Sequence, residues 1–146
     1  MRPPRGPRPA GAEANQPGRR LRRAAPGADT GARLEPSHSH LSAEFLGVPS
    51  EQLCDARLLG GLLIAAVSAA GFGTVGVPIV HEHPDGGVSS VLLLDAGHIA
   101  IHSVPRRQVL LFDIVAPAAH DFRKALEVLS RRLSTRDVKT VTRGRG

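Results

Sequence analysis

The sequence has no tryptophan, no tyrosine and only four phenylalanines, although 41% of its 146 residues are hydrophobic. A folded core must therefore be built mainly from leucine, valine, isoleucine and alanine. The single cysteine, Cys54, excludes an internal disulfide framework and a cysteine-rich zinc site. No apolar run approaches the roughly 18 residues of a membrane span, and the basic start lacks the apolar segment of a secretory signal. These absences predict a soluble protein of the cytoplasm with no membrane partner.

Positive charge is concentrated at one end of the chain. Residues 1–37 hold eight arginines against three carboxylates, and seven of the twelve prolines. Such a segment has too little apolar surface to fold, so we expect a disordered tail. Its Arg19–Arg23 cluster offers weak attraction for nucleic acid or anionic lipid. Because no aromatic side chains lie between these arginines to stack on bases, we favour a solvated extension.

The remaining residues are nearly neutral, with eleven basic side chains against ten acidic ones in 38–146. This balance argues against a basic nucleic-acid-binding domain. We expect one folded domain at 38–142 and a short basic end at 143–146.

Hydrophobic periodicity in the domain predicts the order β-α-β-β-β-β-α-β. Strands are expected around residues 41–45, 73–83, 88–95, 98–103, 108–115 and 137–141. The first helix should begin after Asp55, a candidate N-cap, and end at Gly71. Asp121 is a candidate cap for the second helix, whose inner face is Phe122, Ala125, Leu126, Leu129 and Leu133. Short connections favour an α/β two-layer sandwich, a mainly antiparallel sheet with both helices on one face. The other face then needs a partner, which predicts a dimer.

One segment carries a motif. Residues 96–106 read AGHIAIHSVPR, which resembles the self-cleavage motif of the small prokaryotic S-adenosylmethionine decarboxylases, Glu-Ser-His-[Ile/Leu]-[Ser/Thr]-Ile-His-Thr-Trp-Pro-Glu. Four further blocks are similar to that family in the same order: HLSAEF at 40–45, GVS at 87–89, FDI at 112–114 and KAL at 124–126.

The resemblance implies a homodimer of self-cleaved protomers that decarboxylates S-adenosylmethionine for spermidine synthesis. In that family the motif serine becomes a pyruvoyl group, which acts as the electron sink. Gly97 stands at the serine position. Glycine has no hydroxyl, so neither the acyl shift nor the elimination that forms the pyruvoyl group can start there. We therefore expect no pyruvoyl cofactor.

Other family positions have changed as well. Pro117 stands where the family has its proton-donor cysteine, and Val104 where it has the tryptophan before the motif's proline. Arg106 replaces the glutamate after that proline, and His83 replaces an aromatic residue that stacks on adenine. The processing-associated Ser89 and the motif histidines remain.

The histidines invite two interpretations. His98 and His102 share one face of their strand, and His81 and His83 share a face of another. If the two faces meet, four imidazoles can bind zinc or copper. We favour the alternative, in which they are pocket residues with no metal. The predicted ligand pocket comprises His83, His98, Val104 and Arg106. Arg106 and Arg107 at its mouth favour an anionic ligand.

The sequence therefore predicts a degenerate, uncleaved relative of the decarboxylases. It would act as a ligand-binding or regulatory subunit, as a homodimer or as a heterodimer with an active paralogue. The alternatives are an active polyamine-pathway decarboxylase processed at another serine, with Ser90 and Ser103 nearest in sequence, and a histidine-based metal-binding protein.

Overall fold

A computed structural model describes residues 34–146, so most of the expected tail lies outside the described residues. The elements in chain order are β1 (His38–Leu46), α1 (Ser50–Leu53), α2 (Ala56–Ala70), β2 (Thr74–Glu82), β3 (Val88–Leu94), β4 (Gly97–Val104), β5 (Val109–Pro117), α3 (Arg123–Arg132) and β6 (Val138–Arg145). A 3-10 turn, Pro105–Arg107, joins β4 to β5. The predicted order of strands and long helices is confirmed. The short helix α1 and the 3-10 turn were not predicted, and β6 continues through most of the expected basic end.

The six strands form one antiparallel sheet in the order β2-β3-β4-β5-β1-β6. Strand β1 therefore lies between β5 and β6, so the first and last strands of the chain are neighbours at one side of the sheet. Helix α2 packs on β2, β3 and β4 and against α3. The predicted two-layer α/β sandwich is confirmed. Within the described residues no helix is both long and apolar enough to cross a membrane.

The core lies between the helices and one face of the sheet. Because antiparallel strands alternate, every second side chain of the four inner strands, β1, β3, β4 and β5, enters this layer. Phe45 and Phe112 meet there edge to face, with ring centroids 6.3 Å apart, and both are almost completely buried. Leucine, isoleucine, valine and alanine fill the remainder, as the composition predicts.

The other side of the sheet is covered by no element of the described chain, and we call it the open face. Strand register assigns its residues: Val75, Ile79 and His81 of β2; Ser89, Val91 and Leu93 of β3; His98, Ala100, His102 and Val104 of β4; Val109, Leu111, Asp113, Val115 and Pro117 of β5; His38, His40, Ser42 and Glu44 of β1; and Lys139, Val141, Arg143 and Arg145 of β6. His83, just after β2, reaches this face through its contact with Ser89.

Local signals place both ends of α2 as predicted. The Asp55 carboxylate accepts a hydrogen bond from the backbone N–H of Leu58 at 2.9 Å. Gly71 ends the helix with φ of 76°, a left-handed conformation that glycine adopts without a steric penalty.

The start of α3 differs from the prediction. Phe122 occupies the N-cap position, and Asp121 instead accepts a hydrogen bond from the N–H of Arg123 at 2.9 Å. The side-chain hydrogen bond from Arg123 lowers the pKa of the Asp121 carboxyl to about 2. A carboxyl pKa that is lower in the folded than in the unfolded protein stabilises the fold at pH values above the unfolded pKa. This contribution is lost as the pH falls from about 4 towards 2.

The edge-to-face pair gives a first prediction. Phe112→Ala should lower the free energy of unfolding by about 3–5 kcal/mol, because it leaves a cavity beneath the helices. Val77→Thr is the control, since Val77 lies on edge strand β2 and is 80% exposed, and should change the value by less than about 0.5 kcal/mol. Urea denaturation followed by circular dichroism measures both. A Phe112→Ala protein as stable as the control would contradict the assigned core.

Candidate functional site

A hydrogen-bonded chain of three side chains lies where β2, β3 and β4 meet on the open face. Ser89 of β3 is directly opposite His102 of β4. The Ser89 Oγ lies 2.7 Å from Nδ1 of His102 and 2.7 Å from Nε2 of His83. A hydroxyl has one proton, so Ser89 donates to one imidazole and accepts from the other. The structure thus brings together three of the predicted site residues as a relay, which we call the Ser89 relay.

The turn between β2 and β3 fixes the position of His83. The His83 N–H donates to the carbonyl of Gly87 at 2.7 Å, and the Gly86 N–H donates back to the carbonyl of His83 at 2.9 Å. The Asp85 carboxylate accepts from the Gly87 N–H at 3.0 Å, and Gly86 has φ of 86°. The Asp-Gly-Gly turn expected between these strands therefore supplies the geometry that holds one end of the relay.

Gly97 lies far from this relay. It begins β4, whereas His102 lies five residues further along the strand, a separation of about 16 Å. Pro117 lies at the same end of the sheet as Gly97, because His98 is opposite Val115 on the neighbouring strand. Within one protomer, the changed positions Gly97 and Pro117 therefore lie at one end of β4 and β5. The Ser89 relay lies at the other end of β4.

The backbone at Gly97 leaves no room for a side chain. Its φ is 150°, which residues with a Cβ rarely adopt, and a Cβ built there would collide with the carbonyl oxygen of Val115. The Val115 carbonyl carbon would lie 2.9 Å from the same Cβ. A serine at position 97 therefore requires the backbone of β4 or β5 to move.

The two serines considered as substitutes lie in the core layer. Ser90 is 1% exposed, and its hydroxyl has no hydrogen-bond partner among the described residues. Ser103 is 7% exposed; it accepts from the Val88 N–H at 2.7 Å and donates to the carbonyl of Leu53 at 2.6 Å. Ser103 therefore ties β3, β4 and α1 together.

Both serines are also remote from Gly97. Ser103 lies six residues along β4 from it, about 20 Å, and Ser90 is opposite Ile101, four residues along. Neither hydroxyl reaches the peptide bond before Gly97.

Part of the predicted ligand pocket lines one cavity. A pocket of about 440 Å³ beside the relay is lined by His83, Pro84, Asp85, Ser103 and Val104. His98 lies four residues from His102 on β4, Arg106 is exposed on the 3-10 turn, and neither lines this cavity. The charged side chain in its lining is the Asp85 carboxylate, and Arg106 and Arg107, from which the sequence predicted a preference for an anion, are not part of it. The four-residue pocket and its anion preference stay predictions from the sequence.

The four-histidine metal hypothesis is not supported. The rings of His81 and His83 are in edge contact, with centroids 5.0 Å apart. However, residues 34–146 contain no group of three or more histidine, cysteine or carboxylate side chains placed to hold a metal ion. His98 is too far along β4 to join the other three.

Both the sequence of this chain and its fold are similar to those of known proteins. The sequence pattern of the S-adenosylmethionine decarboxylase family matches residues 39–146. The chain belongs to that family. It is also similar to the arginine decarboxylase proenzyme of Aeropyrum pernix, with 34% identity over 100 residues that cover 66% of this chain and 75% of the relative.

The fold is similar to the crystal structure of the adenosylmethionine decarboxylase from Aquifex aeolicus, with a TM-score of 0.69 and 21% identity. The match covers 77% of this chain and 93% of that one, and at this identity it establishes the fold alone. The two relatives are named for different substrates. Membership of the S-adenosylmethionine decarboxylase family therefore does not identify the ligand of this chain.

The relay gives a second prediction. In Ser89→Ala the hydroxyl that joins the two imidazoles is lost, so the Cε1 proton signals of both His83 and His102 should shift in NMR spectra. His120 stacks on Phe72 away from the sheet's open face, and its signal should stay in place. If neither His83 nor His102 responds, the relay is absent in solution.

Proposed function

We propose that this chain is an uncleaved member of the S-adenosylmethionine decarboxylase family that does not decarboxylate, and that it acts as a ligand-binding or regulatory subunit. Gly97 carries the proposal. It lacks the hydroxyl that would attack the preceding carbonyl, and the Val115 carbonyl oxygen stands where a side chain would begin.

The residues around Gly97 do not fit a pyruvoyl group. Its formation needs a serine hydroxyl to make an ester, followed by elimination to a dehydroalanine that hydrolyses to the ketone. Glycine has no Cβ from which to lose the oxygen. Pro117, at the same end of the sheet, has no dissociable side-chain proton in place of the family's cysteine. Two independent requirements of the chemistry are therefore missing together.

The buried, remote positions of Ser90 and Ser103 argue against processing at another serine. The Ser89 hydroxyl is better placed chemically, because it contacts two imidazoles, but it lies at the wrong end of β4 within one protomer. A location in the cytoplasm remains a prediction from the sequence.

Intact-mass measurement tests the absence of processing. We expect the purified protein to be one chain of 15.4 kDa, without a fragment that begins near residue 97. Gly97→Ser should also remain uncleaved and should lose about 1–3 kcal/mol of stability, because the new side chain is strained. Gly61→Ser is the matched control, since a Cβ at that position meets nothing within 4 Å. Two fragments from the unmodified protein would overturn the proposal. Cleavage of Gly97→Ser would show that the missing hydroxyl alone prevents processing, and would contradict the supporting argument from Pro117 and the closed backbone.

We also propose that two copies associate through their open faces. Ile79 of β2 and Leu93 of β3 are 75% and 54% exposed. They lie on neighbouring strands, on a face that also carries Val91 and Val115. Stacking two sheets would bury these side chains, with a spacing of about 10 Å between the sheets. A heterodimer with an active paralogue would use the same face.

The open face is rich in histidine. Of the seven histidines in the sequence, all except His120 lie on it: His38, His40, His81, His83, His98 and His102. The fixed charges beside them are Lys139, Arg143 and Arg145 against Glu44 and Asp113. Asp113 is already paired with His40 at 2.9 Å. The fixed charges therefore leave this face with a small positive balance.

Association through this face predicts that Leu93→Lys weakens the dimer, because the substitution places a charge among the apolar side chains that the contact would bury. Sedimentation velocity of the two proteins measures the change in the dimer's dissociation constant.

Ile64→Lys is the matched control, since Ile64 is 51% exposed on α2, and it should leave the dissociation constant unchanged. A monomeric unmodified protein, or a Leu93→Lys dimer as tight as the unmodified one, would contradict this interface.

A further inference from the structure

We infer that the β1–β6 end of the open face binds a small phosphate-type oxyanion. The site is a pocket of about 300 Å³ lined by His40, Ser42, Val141, Arg143 and Arg145. The inference rests on the proposed ligand-binding role, since it names a ligand class for it, but it does not depend on whether the chain is cleaved.

Strand register concentrates the cations at this place. Arg143 is directly opposite His40, and Arg145 is opposite His38. Because Arg143 and Arg145 are two residues apart on one strand, both side chains leave the same face, about 7 Å apart along it. The two arginines therefore form a pair that a single ligand can bridge.

The nearby carboxylates do not neutralise these arginines. The Asp113 carboxylate is held by the His40 imidazole at 2.9 Å. Glu44 lies opposite Lys139, two rows away from Arg143. Among residues 34–146 neither arginine forms an ion pair with a carboxylate. Two like charges side by side destabilise each other, and an anion bound between them would offset this repulsion.

The polar groups match a tetrahedral oxyanion. A guanidinium donates two parallel hydrogen bonds to a phosphate group, and its fork fits that geometry better than a lysine ammonium does. Ser42 adds a hydroxyl donor, and Val141 provides an apolar wall. A volume of about 300 Å³ is at the lower limit of small-molecule sites, so a phosphate with a small organic group fits better than a large nucleotide.

This site is separate from the Ser89 relay. The relay belongs to β3 and β4, whereas the arginines belong to β6, and β5 and β1 lie between them. With neighbouring strands about 4.8 Å apart, the three steps from β4 to β6 put the two sites at least about 14 Å apart. The pocket beside the relay also carries the Asp85 carboxylate, which makes the β1–β6 pocket the better anion site on this sheet.

The test is titration of the full chain with inorganic phosphate and with glycerol 3-phosphate, at pH 7.5 and constant ionic strength, followed by calorimetry. We expect saturable binding of both. Arg143→Gln with Arg145→Gln should weaken it at least tenfold. Lys124→Gln with Arg132→Gln makes the same charge change on exposed positions of α3 and should have little effect. Arg143→Lys, which keeps the charge but loses the fork, should weaken binding less than the double change.

Several outcomes would overturn the inference. The first is an absence of saturable binding, and the second is equal weakening in the α3 control, which would indicate general charge attraction. A third arm uses vesicles of phosphatidylcholine with phosphatidic acid. Binding to vesicles without binding to glycerol 3-phosphate would assign the arginines to a lipid surface instead. Because intact mass is measured separately, a cleaved protein that still binds phosphate would reject the proposed function and keep this site.

Discussion

The strict alternation of side chains along antiparallel strands governs the rest of this structure. One face of each inner strand supplies the aliphatic core under α2 and α3, where Phe45 and Phe112 meet. The opposite face is then committed to solvent or to a partner. A register shift of one residue would move the polar residues into the core and the core residues outside. The Ser89 relay, the arginine pair and the histidines all depend on this one register.

Two of the positions at which the sequence departs from the family motif lie close together. Gly97 and Pro117 lie at one end of β4 and β5, where the backbone now closes over the missing side chain. The Ser89 relay lies at the other end of β4 and includes His83, a further position at which the sequence differs from the family motif. The chain therefore keeps the family's fold around a glycine that has no hydroxyl from which a pyruvoyl group could form.

If the proposed association and the proposed anion site are both present, charge on the open face would couple them. Arg143, Arg145 and Lys139 face the same side as the six imidazoles, and the carboxylates on the described strands of that face are Glu44 and Asp113. In a stack of two such faces the cations would lie in a partly desolvated layer, where repulsion is stronger than in water. An oxyanion between the arginines reduces that repulsion. Association and anion binding would then favour each other through electrostatics.

The sequence by itself determined the features that depend on residues close together along the chain. Asp55 and Gly71 cap α2 through local hydrogen bonds and backbone conformation, the Asp85 turn joins β2 to β3, and periodicity separates the core face from the open face. The family motif also identified the changed position Gly97. The predicted cap of α3 is one residue too early: Phe122 holds the N-cap position, while the Asp121 carboxylate accepts a hydrogen bond from the N–H of Arg123, the first helical residue.

Only the tertiary structure decided which distant residues meet. The sequence prediction put His98 and Arg106 in one pocket with His83, but the length of β4 separates His98 from the other two. His40 and Asp113 are 73 positions apart, and His40 faces Arg143 because β1 is inserted between β5 and β6. Such contacts follow from strand order and register, which are set by hydrogen bonds between strands distant in sequence and by core packing over the whole sheet. No local pattern encodes them.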